Sequence, residues 1–417
     1  MASKLFKLGK NMSVNESRFT PELLAPAGSL DKLKVAISYG ANAVYLGGLK
    51  FGLRSAAENF TEEELIEGVE FAHKRGALVY VVLNGFLHDK DLDELPEFVQ
   101  FLDSIKIDAV IVSDLGVIKT VHANSSIPVH LSTQASCLNV ESAKLWKSIG
   151  VERIVVGRET SIAEAGKIKK EAGIEVEMFI HGSMCMAYSG NCTISNFTQG
   201  RDSNRGGCAH SCRFEYSIDF DHLDSEDKKR AYFMSSTDLN GIKVLPEYIK
   251  AEIDSIKVEG RMKSHLYAGT ISKTYSEALN YYKEHGDFIS DDLQNWENEL
   301  KKVTHRTYAQ ANLVEKAGRE TIFNEREVAS SNDYVLVGRV IDIVDQEAII
   351  IEVRNAFNLE EELEILPFSG KPITHHLSSI QSLTGEAIER TKPTTLVKIP
   401  FVKGLERNNI LRKRLLQ

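Results

Sequence analysis

Eight short apolar runs, separated by amphipathic helical stretches, confine this chain to a mostly parallel α/β architecture. The runs are ELLAPA (22–27), AVYLGG (43–48), LVYVVLN (78–84), AVIVSD (109–114), PVHLS (128–132), RIVVG (153–157), EVEMFIHG (175–182) and SIKVEG (255–260). Parallel strands need crossover connections, and stretches such as SLDKLKVAISYGA supply them, with Ser29 placed to cap the helix start and Gly40 its end. Eight such units predict an α/β fold of the (β/α)8 TIM-barrel type. A doubly wound open sheet would carry a Gly-rich phosphate fingerprint after its first strand, which APAGSLDK matches poorly.

The spacing is regular up to the seventh run. Residues 183–254 then intervene before the eighth, and they hold four of the five cysteines and an expected hairpin of EYSIDF and AYFMSS. A long excursion at the C-terminal end of a barrel strand is where this fold builds active sites. After a long helix (LYAGTISKTYSEALNYYKEHG) the pattern changes to period two in YVLVGRVIDIV, EAIIIEVRN, ELEILPF and TTLVKIPF, as in half-buried antiparallel strands. The expected organisation is an N-terminal extension (1–20), a barrel (21–285) with a cysteine-rich insertion (182–250), a linker or helical segment (286–329) and a small β-barrel-like domain (330–417).

Composition narrows the class. With 42% hydrophobic and 26% charged residues the chain is ordinary globular protein. No apolar run approaches the roughly 20 residues that span a bilayer. The start, MASKLFKLGKNMSVNESRF, lacks the apolar centre of a secretory signal, so the expected location is the cytoplasm, without membrane and with reduced thiols. A net charge of −9 excludes a broadly basic nucleic-acid coat and leaves only a local basic face. The basic tail, VKGLERNNILRKRLLQ, is expected to be a solvated helix end, with phosphate contact as its alternative.

The cysteines follow the pattern Cys185-x6-Cys192-x15-Cys208-x3-Cys212. Four thiolates on a loop-rich, glycine-punctuated segment can supply the soft ligands of an iron–sulfur cluster or of zinc. Only the second pair is tight, where structural zinc usually shows two tight knuckles; this tilts the reading toward a cluster without closing it. Cys137 stands apart and is expected in the core or at the barrel mouth.

Several strand ends finish in polar residues that a plain core does not need. Glu177, His181, Lys257 and Glu259 are the catalytic candidates. Asn84, His130, Gln134, Arg158, Arg201, Arg205, Arg213 and Arg261 are the substrate-binding candidates, with Lys263 a further cation nearby. Guanidinium forks of this kind suit a dicarboxylate or a phosphate. Glu177 and Glu259 could instead be structural partners of those cations.

Longer motifs carry a resemblance. EMFIHGSMCMAYSGNCTIS, with Glu, an aromatic, His-Gly, then Cys, Gly and Cys, resembles the signature of the collagenase-like peptidase family U32. GRDSNRGGCAHSCR resembles its arginine-rich, two-cysteine segment, and ELLAPAGSLDKLKVAISYGANAVYLGG and SIKVEGRMKSHLYAG its opening and closing blocks. By length and tail the chain is similar to the branch that hydroxylates the wobble uridine of tRNA to 5-hydroxyuridine with prephenate. The resemblance implies Cys185, Cys192, Cys208 and Cys212 as ligands of a 4Fe-4S cluster, and prephenate as a dicarboxylate co-substrate held by the arginines and Lys257. It also implies a tRNA anticodon loop as partner, together with iron–sulfur assembly and redox proteins. Gly207 departs from the pattern, which has a basic residue before the third cysteine. The rival readings are a peptidase, as the family name says, and a binding module stabilised by zinc.

Overall fold

In the computed structural model, which describes residues 18–53, 58–218, 229–232, 234–318 and 333–415, all eight apolar runs are strands. They are β1 (Glu22–Pro26), β2 (Ala43–Leu46), β3 (Leu78–Leu83), β4 (Ala109–Val112), β5 (Val129–Leu131), β6 (Val151–Val155), β7 (Glu175–Ser183) and β8 (Ser255–Val258). Each pairs in parallel with the next, and β8 pairs with both β7 and β1, so the sheet closes into a barrel without free edges.

The crossovers are α1 (Leu30–Ser38), α2 (Glu62–His73), α3 (Leu95–Ser104), α4 (Leu115–Asn124), α5 (Val140–Ser148), α6 (Ile162–Ala172), α7 (Leu245–Lys250) and α8 (His265–His285). Their starts are chemically marked. Thr61 and Ser161 open α2 and α6 with reciprocal capping boxes to Glu64 and Glu164, and Ser264 caps α8 by accepting from Tyr267 N–H. Ser29 takes the N-cap position of α1 with extended backbone, and Gly40, at φ +98°, stands just past its end. Buried faces such as Leu33, Val35, Val69, Val99, Val117 and Ile168 join the strands in one continuous core.

One irregularity matters for the site. Lys257 pairs with Phe179, but the next residue, Val258, pairs with His181, so Ile180 is an extra residue in β7. A bulge of this kind reverses which face the following side chains take. The end of β7 also pairs antiparallel with Asp238–Asn240, which pairs in turn with Tyr308–Ala309.

The expected hairpin is present in part. Tyr216–Ile218 pairs with Lys229–Ala231, so the return strand begins earlier than AYFMSS. Its connection at 219–228, most of the N-terminal extension, and residues 319–329 of the expected linker lie outside the described residues. Ahead of that gap the chain forms α9 (Ser290–Leu300).

The C-terminal part is a separate antiparallel half-barrel of seven strands: β9 (Tyr334–Val344), β10 (Ala348–Val353), β11 (Glu362–Leu366), β12 (Ile373–His376), β13 (Gln381–Ser382), β14 (Leu396–Pro400) and β15 (Ile410–Arg414). Alternating residues, among them Val337, Ile349, Ile351, Leu363, Ile365 and Val397, give it its own core. Tyr39, at the C-cap of α1, ties it to the barrel, donating from its hydroxyl to Leu366 O (2.6 Å) and accepting from Ile410 N–H (2.9 Å).

The basic tail corrects an expectation. It is strand β15 between β9 and β11, not a solvated helix end. Arg412 is fully buried and bridges Glu364 (2.7 Å) and Glu299 of α9 (2.5 Å), and Lys413 pairs with Glu361. Those two cations hold the C-terminal sheet together and are already committed to carboxylates. Helix-end logic failed because Ile410-Leu411 starts a ladder whose partners lie far upstream in the chain.

Candidate active site

The C-terminal ends of the barrel strands surround a cavity of about 270 Å³, and the cysteine-rich segment forms its roof. Period two on β3 and β8 aims Asn84 and Lys257 into it from a rigid frame. All four clustered cysteines lie on its wall, whereas Cys137 is buried in the core, where burial pushes its thiol up to about 11.

The roof is held by backbone contacts. Cys192 N–H donates to Asn204 Oδ1 (3.2 Å), and Cys192 O accepts from Asn204 Nδ2 (3.1 Å) and from Ser203 Oγ. The Gly207 departure has a local cause. Its N–H donates to Asp202 O (2.7 Å), and a Cβ there would lie 2.6 Å from that same oxygen. Burial raises the Cys212 thiol, the nearby Arg213 opposes that, and Cys185, Cys208 and Cys192 add a further upward push, as neighbouring thiolates do. No three His, Cys, Asp or Glu side chains among the described residues gather around a point as one metal ion requires. The four clustered cysteines line one wall of the cavity, and thiolates are the soft donors that an iron–sulfur cluster or zinc would need.

Beneath the roof, Arg158, Arg213, Lys257, Arg261 and Lys263 face the cavity against one carboxylate, Glu259. The Arg158 guanidinium carbon stands over the Phe179 ring, 3.8 Å from its centre, and the group donates to Ser183 O (3.2 Å). Arg261 is anchored to Leu53 O (2.9 Å) and to Asn59. Opposite them, Asn84 Nδ2 donates to Ser132 Oγ (3.1 Å) and Gln134 Oε1 (3.4 Å), forming a polar edge able to read hydrogen-bonding groups on a planar ligand.

Other candidates lie elsewhere. Glu177 is fully buried one layer below the wall, accepting from Lys257 Nζ (2.7 Å), with Arg153 Nη1 3.6 Å from its second oxygen. That places it as the counter-ion of Lys257. His130 is buried edge-on to Tyr80 (4.8 Å) and, mainly through burial, held well below its ordinary pKa. His181 is turned off the wall by the Ile180 bulge and sits against Tyr275 (Nδ1 to hydroxyl 3.2 Å) and Tyr308 (Nε2 to hydroxyl 3.4 Å). Arg205 binds Asp91 (2.8 Å) and Phe86 O, stapling the roof to the loop after β3. Arg201 is exposed and off the wall.

Three wall or near-wall residues escaped the sequence reading. Tyr45 lies 4.3 Å under Lys257 Nζ and donates to Glu259 Oε2 (3.1 Å); a hydroxyl at an inward position of β2 was its signal. His210 lines the cavity between the last two clustered cysteines. Arg306, almost buried, feels both Arg213 and Cys212 and donates to Ser236 O (3.2 Å). Nothing in its surrounding sequence, KKVTHRTYA, announced it.

Burial drives His181 down to about 3 from 6.5. The unfolded chain therefore takes up a proton that the folded one refuses, and stability falls as the pH drops from about 6.5 toward about 3. The slope from this one group approaches about 1.4 kcal/mol per pH unit. Urea titrations at pH 5 and 6 are expected to show a shallower pH dependence for His181→Phe than for the native chain, and identical slopes would refute the assignment.

The description Peptidase family U32 matches residues 28–322, and Peptidase family U32 C-terminal domain matches residues 332–412. The chain is 39% identical over 403 residues to tRNA hydroxylation protein P1 of Bacillus subtilis (strain 168), covering 94% of each chain. It is 36% identical over 336 residues to tRNA hydroxylation protein P of Helicobacter pylori (strain ATCC 700392 / 26695), covering 77% of this chain and 78% of the relative. It is also 31% identical over 312 residues to a protein named Collagenase in Porphyromonas gingivalis (strain ATCC BAA-308 / W83), covering 71% and 73%.

Proposed function

The chain belongs to peptidase family U32, and from that premise and the cavity just described we propose that it hydroxylates tRNA, converting the wobble uridine to 5-hydroxyuridine in the cytoplasm. The observation that carries this reading is a cavity at the strand C-termini that combines four cysteines with five cations. The names of the Bacillus and Helicobacter relatives support the substrate.

In this reading Cys185, Cys192, Cys208 and Cys212 hold a 4Fe-4S cluster. The cluster, when bound, supplies electron-transfer chemistry next to the substrate. The remaining steps belong to the chain. The target base leaves its stack, which is cheap in an unpaired loop, and enters beneath the roof. Gln134, held by Asn84, offers its amide to the edge of the base, and the Arg158 guanidinium, seated over Phe179, offers a planar cation. Arg213, Lys263 and Arg261 face the carboxylates of a dicarboxylate co-substrate, prephenate in the family's pattern. Tyr45 holds Glu259 at the wall, where that carboxylate can take a proton.

The peptidase reading rests on the family name and the Porphyromonas relative. A Cys185–His181 pair does not serve it, because His181 is turned away from the cavity and kept neutral by burial. Anaerobically purified protein, incubated with unmodified tRNA and prephenate, is expected to form 5-hydroxyuridine detectable by mass spectrometry. Gelatin cleavage by iron-free protein, with no modified nucleoside formed, would overturn the proposal.

A further inference from the structure

Several large apolar side chains lie exposed close together around the cavity mouth, and clustered rather than scattered exposure marks a contact surface. Met186 (41% exposed) and Met262 (50%) stand on the cavity wall itself. Tyr188 (61%) lines a groove that shares Met184, Cys185, Met186 and Arg158 with that wall. Phe214 (41%) follows the wall residue Arg213, and Phe197 (87%) stands on the roof helix Ile194–Gln199, two residues from the wall residue Ser195. No ring of the described residues packs against Tyr188, Phe197 or Phe214.

The charge around these rings narrows the partner. In a chain of net charge −9, Arg158, Arg213 and Lys263 gather at this mouth, and exposed Arg201 follows the roof helix. Unstacked aromatics interleaved with cations suit the flat bases and the phosphates of single-stranded nucleic acid, whose bases each offer a π-face. An acidic or purely apolar protein partner would leave one half of that combination unused.

The geometry points to the rim as a base-stacking platform for the unpaired nucleotides flanking the one that enters the cavity, with Tyr188, Phe197 and Phe214 as its rings. This rests on the tRNA reading above and adds to it a surface outside the cavity. The platform replaces the stacking that the loop loses when one base is withdrawn, so it favours the extruded state over the closed loop. Duplex RNA, with its bases paired and stacked, has nothing to offer these rings.

The test uses the full chain and a fluorescent RNA hairpin with a uridine-containing seven-nucleotide loop, against a fully paired duplex of the same composition. Tyr188→Ala, Phe197→Ala and Phe214→Ala are each expected to raise Kd for the hairpin by about tenfold, while leaving weak duplex binding unchanged. These side chains are exposed, so the fold should survive, and Leu145→Ala, exposed on α5 away from the mouth, is the control that should match the native chain. Native affinity for the hairpin in all three variants would overturn the platform and leave the rim to a protein partner. No preference for hairpin over duplex by the native chain would overturn the tRNA reading itself.

Discussion

Cys192→Ala is expected to strip the visible absorption of an iron–sulfur cluster from anaerobically purified protein and to abolish 5-hydroxyuridine formation. The size of the effect follows from how Cys192 is held. Its N–H and carbonyl are both tied to Asn204, and Ser203 adds a second contact to the carbonyl, so the backbone keeps its course whatever the side chain. Alanine therefore removes a thiol and little else. The variant should match the native chain in circular dichroism and in thermal unfolding of the iron-free form. An unchanged spectrum with unchanged iron content would remove Cys192 from the ligand set, and the wall arrangement of the four cysteines would need another explanation.

Lys257→Met should lower stability by about 3 kcal/mol, because it leaves the fully buried Glu177 carboxylate without its nearest counter-charge. Arg153 remains 3.6 Å from the second oxygen but already serves Glu22 (2.8 Å) and Glu175 (2.8 Å), so it compensates only partly. Pairing the change with Glu177→Leu should restore most of the stability, since a well-packed apolar pair avoids the cost of desolvating two ions. Activity should not return in the double variant, because Lys257 also faces the cavity over Tyr45 and Phe179. Denaturant titration measures the first effect and single-turnover modification of tRNA the second. A double variant that regains both would reduce Lys257 to a purely structural cation.

The barrel was legible because its signal is local and repeated. Each of the eight runs sits between helical stretches whose caps, such as Thr61 and Ser161, are written in adjacent residues. Clustered cysteines after the seventh run marked the roof for the same reason, and all four reach the cavity wall. What failed to show in the sequence was set by contacts between distant segments. A single extra residue, Ile180, turns His181 from the wall to the aromatic cluster of Tyr275 and Tyr308, and no pattern of apolar residues reports a bulge. Glu177 lies on the inward face as expected, but one layer too deep to meet a substrate. Arg306 reaches the neighbourhood of Cys212 only because Tyr308–Ala309 joins the sheet beyond β7. In the tail, Arg412 is buried by carboxylates more than forty positions upstream, at Glu364 and Glu299.

Residues in the insertion divide by the same logic. Arg213 faces the cavity, Arg205 is spent on Asp91 and on anchoring the roof, and Arg201 points to solvent. All three looked alike in the sequence. With Arg412 and Lys413 committed to Glu364, Glu299 and Glu361, the proposed RNA contact rests on the cations of the barrel mouth. Its binding should accordingly weaken steeply with salt.

The most direct measurement is the nucleoside content of tRNA from a strain lacking this gene, complemented either with the native chain or with Cys192→Ala. The native chain is predicted to restore 5-hydroxyuridine and its derivatives, and Cys192→Ala to leave them absent. Equal levels of these nucleosides in the deletion strain, the native complement and the variant would contradict the account.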